Sequence, residues 1–409
     1  MRLPIVSILI FLFLNLGADW YILRAIVGKK LDFCRAALSK NRKIWGNIQL
    51  WSAIVFALGL VVLLFYPVRS ITDSGIRALM WILYVYISVY SAKYIFVILN
   101  SLGELPRIWH KRPWRAMTPA AVIIAGTVFL AMWWGTINRY NIQVKAINVE
   151  VKDLPKSFEG FRIVQISDFH LGSYGSTDFA KKVVDRINDL HPDLIVFTGD
   201  IVNRRTSELE PFVGVLSELE APVYSILGNH DYGDYYEWPD STAQKQNVAR
   251  MKELQREMGW KLLDNKYENI VVDGDTLVLI GVENIGDPPF KRYGDLQAAY
   301  PTPNDNKFKI LLTHNPAHWV EDIANSENNI ALTLSGHTHA MQAMIKIGNY
   351  KLSPAKYRYD QWGGRYTRQN ENGYITELYV NTGAGAVGMP ARLMSAYPEV
   401  TLLTLKKAK

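Results

Sequence analysis

Four long runs of apolar residues in the first 140 positions constrain this 409-residue chain more than any other feature. A helix needs about 20 mostly apolar residues to cross a bilayer. The runs are about Leu3 to Leu23, within Gly46–Val68, Ala78 to about Leu99, and within Met117–Asn138. We therefore predict a transmembrane anchor of about four helices over residues 1–140, followed by a separate domain over residues 145–409. The first run alternatively reads as a cleaved signal peptide, although its flanking residues suit cleavage poorly.

Charge is divided unevenly between these two parts. Residues 1–150 carry 17 Lys and Arg against 5 Asp and Glu, whereas residues 151–409 carry 28 against 33. The basic excess belongs to the anchor, which argues against nucleic-acid binding by the second domain. Lys and Arg crowd the loops after the first and third runs, and such loops are usually cytoplasmic. Four crossings then place the second domain outside the cytoplasm of a bacterial inner membrane, and a miscount by one helix reverses that.

Two single residues of the anchor limit its chemistry. Cys34 is the only cysteine, so an intrachain disulfide and a cysteine-based metal site are excluded. Lys93 lies inside the third apolar run, where we expect it to snorkel or to face other helices.

Beyond residue 145 the pattern changes to short apolar runs that each end in a polar motif. Such runs are typical of strands buried on both faces, and helical patterns at Asp178–Leu190 and Asn247–Met258 alternate with them. This alternation predicts an α/β domain, in which sites form at the carboxyl ends of strands. The motifs are Asp168-Phe-His170, Gly199-Asp200, Gly228-Asn229-His230-Asp231, His314-Asn315-Pro316 and Gly336-His337-Thr338-His339.

These motifs hold five of the eight histidines of the chain, and Asp168, Asp200 and Asn229 form a candidate cluster with them. Imidazole and carboxylate without thiolate suit divalent manganese, iron, zinc or nickel. Two ions held about 3.5–4 Å apart need a bridging carboxylate, which Asp200 would supply. Each motif alone is a weak signal, but their joint occurrence at strand ends predicts a metal site.

The combined motifs resemble those of the calcineurin-like metallophosphoesterases, most closely the bacterial membrane-associated YkuE/YaeI-like branch. The resemblance covers about residues 145–409 and implies a β-sandwich flanked by helices. It also implies roles for the strand-end residues. Asp168, His170 and His339 would hold one divalent ion, Asp200 would bridge, and Asn229, His314 and His337 would hold a second, while His230 would contact the scissile phosphate and Asp231 would orient it.

These expectations describe a binuclear metal-dependent phosphoester hydrolase that uses metal-activated hydroxide to attack phosphorus, with His230 assisting the leaving oxygen. The segment 345–368 mixes six Lys and Arg with five aromatic residues. It is either a membrane-facing or headgroup-binding surface or a hairpin with a solvated polar face. Arg365 and Arg392 are candidate phosphate contacts.

Three functions remain open on sequence alone. The first is a phosphodiesterase or pyrophosphatase acting on a lipid-linked or envelope phosphate compound, for which hydrolysis of UDP-2,3-diacylglucosamine in lipid A synthesis is a specific alternative. The second is a general phosphomonoesterase. The third is a membrane sensor or scaffold with a retained metal site.

Overall fold

The computed structural model describes residues 5–27, 42–286 and 291–408. The chain forms two compact units. The first holds the described residues up to Ile71 together with Ala78–Trp134, and the second holds Thr72–Arg77 and the chain from Gly135 onward. Cys34 and the basic residues from Lys29 to Lys40 lie outside the described part of the chain.

The first unit is built from apolar helices, as predicted. The helices of the anchor are α1 (Ile5–Val27), α2 (Arg42–Phe65), α3 (Asp73–Glu104) and α4 (Met117–Asn138). Among the described residues, Lys43–Leu63, Asp73–Trp109 and Met117–Asn138 are long and apolar enough to cross a membrane. Helix α1 has 23 residues, which is sufficient length for a further crossing, so the count of four crossings stays a prediction.

A polar network ties three of these helices together around Asp19 of α1. Its Oδ1 atom accepts hydrogen bonds from Gln49 Nε2 of α2 and Lys93 Nζ of α3, both at 2.7 Å. Its Oδ2 atom accepts a bond from the Tyr90 hydroxyl at 2.6 Å. Lys93 therefore faces other helices, which is one of the two predicted positions for it. Intramembrane charges are costly unless they are paired in this way.

The second unit contains fifteen strands and four further helices among its described residues. The strands are β1 (Gln143–Val151), β2 (Arg162–Ile166), β3 (Leu194–Phe197), β4 (Val223–Ser225), β5 (Lys261–Leu262), β6 (Lys266–Val272), β7 (Asp275–Gly281), β8 (Lys309–Leu312), β9 (Leu332–Ser335), β10 (Ala343–Ile347), β11 (Tyr350–Leu352), β12 (Gly364–Gln369), β13 (Ile375–Val380), β14 (Leu393–Met394) and β15 (Glu399–Lys407). The helices are α5 (Asp178–Asn188), α6 (Val213–Leu216), α7 (Ser241–Glu257) and α8 (Leu296–Ala299).

Two six-stranded sheets form a sandwich, which confirms the predicted α/β fold class. The first sheet has the order β1-β15-β2-β3-β4-β5, and the second has the order β12-β13-β9-β8-β7-β6. Apolar side chains from both sheets share one buried core, for example Ile163 and Val196 of the first with Leu279 and Leu312 of the second. Helices α5 and α7 cover the outer face of the first sheet, where Val183 and Met251 belong to its core.

The predicted strands and the order of the sheets together bring the polar motifs to one edge. Strands β2, β3 and β4 are parallel in the first sheet, and β7, β8 and β9 are parallel in the second. Because parallel strands end at the same edge of a sheet, the residues that follow β2, β3, β4, β8 and β9 converge there. A small third sheet, β11-β10-β14, follows directly after the last of these motifs.

Candidate metal centre

Five of the predicted metal-binding residues lie on left-handed backbone that non-glycine residues rarely adopt. Their φ angles are 53° for Asp168, 48° for His170, 61° for Asp200, 77° for His337 and 52° for His339. Each such residue costs about 1–2 kcal/mol, so the strand ends and their hydrogen bonds must hold it in place. Strain concentrated at one edge of a sandwich is typical of a functional site.

A first group of donors comprises Asp168, His170 and His339, all of which are buried. The Nε2 atoms of His170 and His339 lie 3.0 Å apart, and His339 Nε2 lies 3.2 Å from Asp168 Oδ1. Nitrogens that approach this closely point at a common region of space. These three residues could hold one divalent ion.

A second group comprises Asp200, His314 and His337, and Asn229 joins it. His314 Nε2 lies 3.1 Å from Asp200 Oδ2 and 3.2 Å from His337 Nδ1. Asn229 Oδ1 lies 3.1 Å from the same His314 atom and 3.0 Å from His337 Nδ1. These four residues could hold another ion.

Asp200 connects the two groups. Its Oδ2 atom also lies 3.6 Å from His170 Nε2, and Asp200 forms a third cluster of potential ligands with His170 and His230. A carboxylate shared in this way matches the bridge that a pair of ions requires.

Two glycines leave the room that these carboxylates need. A Cβ atom on Gly228 would overlap the carboxylate and backbone nitrogen of Asp200. A Cβ atom on Gly336 would overlap the hydroxyl of Ser167 and the carboxylate of Asp168. The glycines of the Gly-Asn-His-Asp and Gly-His-Thr-His motifs therefore allow the strand ends to approach one another.

Burial and charge set the protonation of the donors. Burial, reinforced by neighbouring histidines, holds the pKa of His170 well below its usual range and lowers the pKa of His337 to about 4. For His314 burial acts in the same direction, but the Asp200 carboxylate outweighs it and raises the pKa to about 9. Burial alone would raise the pKa of Asp200, yet His314 and His230 bring it well below its usual value. Ionised carboxylates and neutral imidazoles are the forms that bind divalent metal. Asp200, His170 and His337 are in those forms at pH 7, and His314 reaches the neutral form by losing a proton.

His230 lies beside the donors and is held by two contacts. Its Nδ1 atom is 2.5 Å from the backbone carbonyl oxygen of Asn203. Its ring stacks on Tyr235 with centroids 4.1 Å apart and planes at 14°. The backbone carbonyl and the phenol ring together fix the orientation of the imidazole.

Asp231 is expected from the resemblance to orient His230, and that role stays a prediction. The Asp231 carboxylate accepts four backbone N–H bonds, from Asp200, Ile201, Val202 and Gly228, at 2.9 to 3.2 Å. Asp231 fixes the backbone that carries Asp200.

The two arginines predicted to contact phosphate are held by other groups of the protein, and their contact with phosphate stays a prediction. Arg392 is fully buried and donates to the carbonyl oxygens of Thr382, Gly383, Gly385 and Tyr397. Arg365 pairs with Glu377 and donates to the Asn148 carbonyl at 3.2 Å. Arg392 Nη2 also lies 3.5 Å from His339 Nδ1, so this guanidinium contacts the ring of a candidate metal ligand.

Two tyrosines at the site carried no recognisable sequence signal. The Tyr235 hydroxyl accepts a bond from Asn229 Nδ2 at 2.8 Å, and burial raises its pKa to about 12. The Tyr359 hydroxyl lies 3.4 Å from His337 Nε2. The chain has 22 tyrosines, and spacing alone does not distinguish these two from the rest.

A sandwich with Asp, Asn and His donors at the carboxyl ends of its strands has the fold that the resemblance to the metallophosphoesterases implied. The chain matches the family of calcineurin-like phosphoesterases over residues 161–341. Residues 1–139 match the family described as the transmembrane domain of a probable calcineurin-like phosphoesterase.

Curated relatives agree with this classification. The chain is 32% identical over 260 residues to the uncharacterized metallophosphoesterase YkuE of Bacillus subtilis, which covers 62% of this chain and 82% of the relative. It is 28% identical to a zebrafish (Danio rerio) transmembrane protein with metallophosphoesterase domain, over 97% of this chain and 89% of the relative. The chain therefore belongs to the calcineurin-like phosphoesterases and is a membrane protein.

A further relative bears a more specific name. The UDP-2,3-diacylglucosamine pyrophosphatase LpxG of Chlamydia trachomatis is 28% identical over 267 residues, covering 54% of this chain and 77% of the relative.

Proposed function

We propose that this protein is a binuclear phosphoester hydrolase that cleaves a phosphodiester or diphosphate bond in a lipid-linked or envelope compound. The observation that carries the proposal is the pair of donor groups that share Asp200, with His230 held beside them. The apolar helices of the chain support a substrate at a membrane, and so does the name of the chlamydial relative.

The seven donors divide into two sets in this proposal. Asp168, His170 and His339 hold one ion, Asn229, His314 and His337 hold the other, and Asp200 serves both. When bound, a pair of divalent ions such as Mn, Fe, Zn or Ni would lower the pKa of a water for attack on phosphorus and offset charge on the phosphate oxygens.

His230 acts on the substrate and not on the ions. Since the Asn203 carbonyl can only accept a hydrogen bond, Nδ1 of His230 carries the proton. Its Nε2 atom is then the one that faces the phosphate, and in the protonated ring it donates to the leaving oxygen. Tyr235 limits the motion of that ring by stacking on it.

The test is a phosphate-release screen on the purified full-length protein with each divalent metal in turn. We expect turnover of diphosphate or diester substrates that carry lipid, exceeding turnover of monoesters. The control variant His191→Gln changes an exposed histidine outside the site and should retain full activity. Exclusive monoester turnover would support a general phosphomonoesterase instead, and an inert protein with full metal occupancy would support a sensor or scaffold.

The domain that carries the metal centre lies outside the cytoplasm in this proposal. The second compact unit includes both Thr72–Arg77, where α3 begins, and the chain from Gly135 at the end of α4. If α3 and α4 each cross the membrane once, these two segments lie on the same side of it. The basic loops after the first and third apolar runs would then lie on the opposite, cytoplasmic side.

The side of the membrane on which the domain lies also distinguishes UDP-2,3-diacylglucosamine from an extracytoplasmic lipid-linked compound as the substrate. Hydrolysis of UDP-2,3-diacylglucosamine is favoured by the name of the chlamydial relative but needs the site in the cytoplasm, where that nucleotide sugar is made. A C-terminal alkaline phosphatase fusion should be active if the domain is outside, and a C-terminal green fluorescent protein fusion should be fluorescent if it is inside. Fluorescence without phosphatase activity would favour the nucleotide-sugar substrate and reject the extracytoplasmic placement.

A further inference from the structure

The hairpin formed by β10 and β11 exposes an apolar face. In its antiparallel register Ile345 pairs with Leu352, and Ile347 pairs with Tyr350. Directly paired residues project to the same side of a sheet, so these four side chains form one face. They are exposed to 39%, 51%, 73% and 85%, in the order Ile345, Leu352, Ile347 and Tyr350.

The opposite face of the hairpin is basic. Lys346 pairs with Lys351 between the two apolar pairs, and Lys356 follows in the next turn with Tyr357, which is 84% exposed. Aliphatic and tyrosine side chains flanked by lysine are the composition of a segment that enters the interface of a bilayer. Lysine beside such a segment favours anionic lipid.

The hairpin is connected to the end of a membrane-spanning helix through one short strand. Strand β10 pairs with β14, where Met344 lies opposite Met394. The carbonyl oxygens of Arg392 and Met394 accept hydrogen bonds from Asn138 Nδ2 at 2.9 and 3.2 Å. Asn138 is the last residue of α4, so the small sheet is hydrogen-bonded to the end of a helix that is long and apolar enough to cross a membrane.

The segment that contains the hairpin begins and ends at the metal centre. The chain leaves the donor groups at His339, two residues after His337, and returns at Tyr359, whose hydroxyl lies 3.4 Å from His337 Nε2. The Ser353 hydroxyl fixes the base of this excursion by donating to the Ala340 carbonyl at 2.6 Å. A lipid headgroup at the hairpin would therefore be close to the metal donors.

We propose that the apolar face of the β10–β11 hairpin inserts into the interfacial layer of the bilayer that holds the protein's own helices, so that the metal centre opens onto lipid headgroups. The insertion itself is independent of catalysis. The consequence that the substrate phosphate belongs to a lipid in that layer rests on the proposed function.

Site-specific labelling tests the insertion. A Cys34→Ser background leaves no other thiol, so Ile347→Cys can carry an environment-sensitive nitrobenzoxadiazole label in proteoliposomes of phosphatidylglycerol and phosphatidylethanolamine. We expect a blue-shifted label that doxyl-lipids quench. The matched control is Val271→Cys, an apolar strand position that is 62% exposed against 73% for Ile347. It lies beside the β6–β7 turn, at the end of the second sheet away from the donors.

Two results would overturn the insertion. Equal, weak quenching at positions 347 and 271 would show that the hairpin does not enter lipid. If the blue shift of the label at position 347 depended on protein concentration, and doxyl-lipids did not quench it, the apolar face would instead contact a second copy of the chain.

Activity separates this inference from the proposed function. In Ile347→Glu/Tyr350→Glu we expect KM for a lipid-embedded phosphoester to rise about tenfold, because charge opposes insertion, while turnover of bis(4-nitrophenyl) phosphate is unchanged. Val271→Glu should alter neither. Quenching of the label without hydrolysis of any lipid phosphate would support the insertion and reject the lipid substrate, whereas an equal loss on both substrates would count against the hairpin as a lipid-specific element.

Discussion

The Nδ1 atom of His230 lies 2.5 Å from the backbone carbonyl oxygen of Asn203. A backbone carbonyl cannot donate, so this contact selects one tautomer of the imidazole. The contact belongs to the main chain, and it is therefore preserved whatever side chain occupies position 203. The path of the loop after β3 therefore helps to set the orientation of this histidine.

Replacing His230 should separate chemistry from metal binding. For His230→Gln we expect kcat to fall about 10²–10⁴-fold, the usual contribution of a general acid, because glutamine cannot donate a proton to the leaving oxygen. Metal content by mass spectrometry should stay at the wild-type value. If the variant lost metal, His230 would have to be assigned as a ligand.

Replacing Asp231 should lower the stability of the fold and its affinity for metal. In Asp231→Asn the amide NH₂ would face two of the four backbone N–H groups that the carboxylate now accepts. Each buried donor left without a partner costs about 1–3 kcal/mol, so we expect a lower unfolding temperature and weaker metal binding.

Asp240→Asn provides the control for that experiment. Asp240 caps α7 by accepting from the Ala243 nitrogen, and asparagine caps helices about equally well. A loss of turnover in Asp231→Asn with unchanged stability and metal affinity would support the orienting role.

Metal uptake should release a proton from His314. Because its pKa is raised to about 9 beside Asp200, the metal-free protein holds this proton at pH 7, and an incoming ion must displace it. His337, with a pKa lowered to about 4, is already neutral. Apparent metal affinity should therefore rise by about tenfold per pH unit between pH 7 and 9.

Calorimetric titration in buffers of different ionisation enthalpy measures that proton directly. About one proton per chain should appear at pH 7 and should disappear as the pH passes 9. A proton count that stays constant between pH 7 and pH 10 would mean that the proton comes from another group.

The membrane unit should depend on the pairing of Asp19 with Lys93. Asp19→Ala leaves the Lys93 ammonium without its carboxylate, and an unpaired lysine inside a membrane costs roughly 2.5–3.5 kcal/mol. We expect lower expression and a lower unfolding temperature in detergent. Asp19→Ala/Lys93→Met should recover most of the loss, since removing both charges is often neutral; a double variant as unstable as the single one would contradict the pairing argument.

The strands that carry the site could be predicted because their burial leaves continuous apolar runs in the sequence. The apolar runs before Asp168, Asp200, Asn229, His314 and His337 became β2, β3, β4, β8 and β9, because strands covered on both faces must be continuously apolar. Helix α7 begins at Ser241, earlier than the predicted Asn247, since Asp240 supplies its N-terminal cap.

The sequence does not reveal the direction in which an individual polar side chain points. A Pro-x-Arg stretch does not reveal that Arg392 folds inward onto four carbonyl groups, because a charged side chain is usually exposed. Nor does the Asn-His-Asp sequence reveal that Asp231 faces the backbone of Asp200. The edge strand β1 and its neighbour β15 lacked a strand-end motif and went unnoticed until the pairing of the sheet was known.

That pairing has a consequence for how the protein is made. Strand β1 begins five residues after α4 ends, at Gln143, and its partner in the ladder is β15, the last strand of the chain. During synthesis β1 leaves the ribosome about 250 residues before β15, which at 5–20 residues per second is a delay of roughly 10–50 s. Throughout that interval the newly inserted protein presents an open strand at the membrane surface, where a chaperone or a neighbouring nascent chain has its best opportunity to bind.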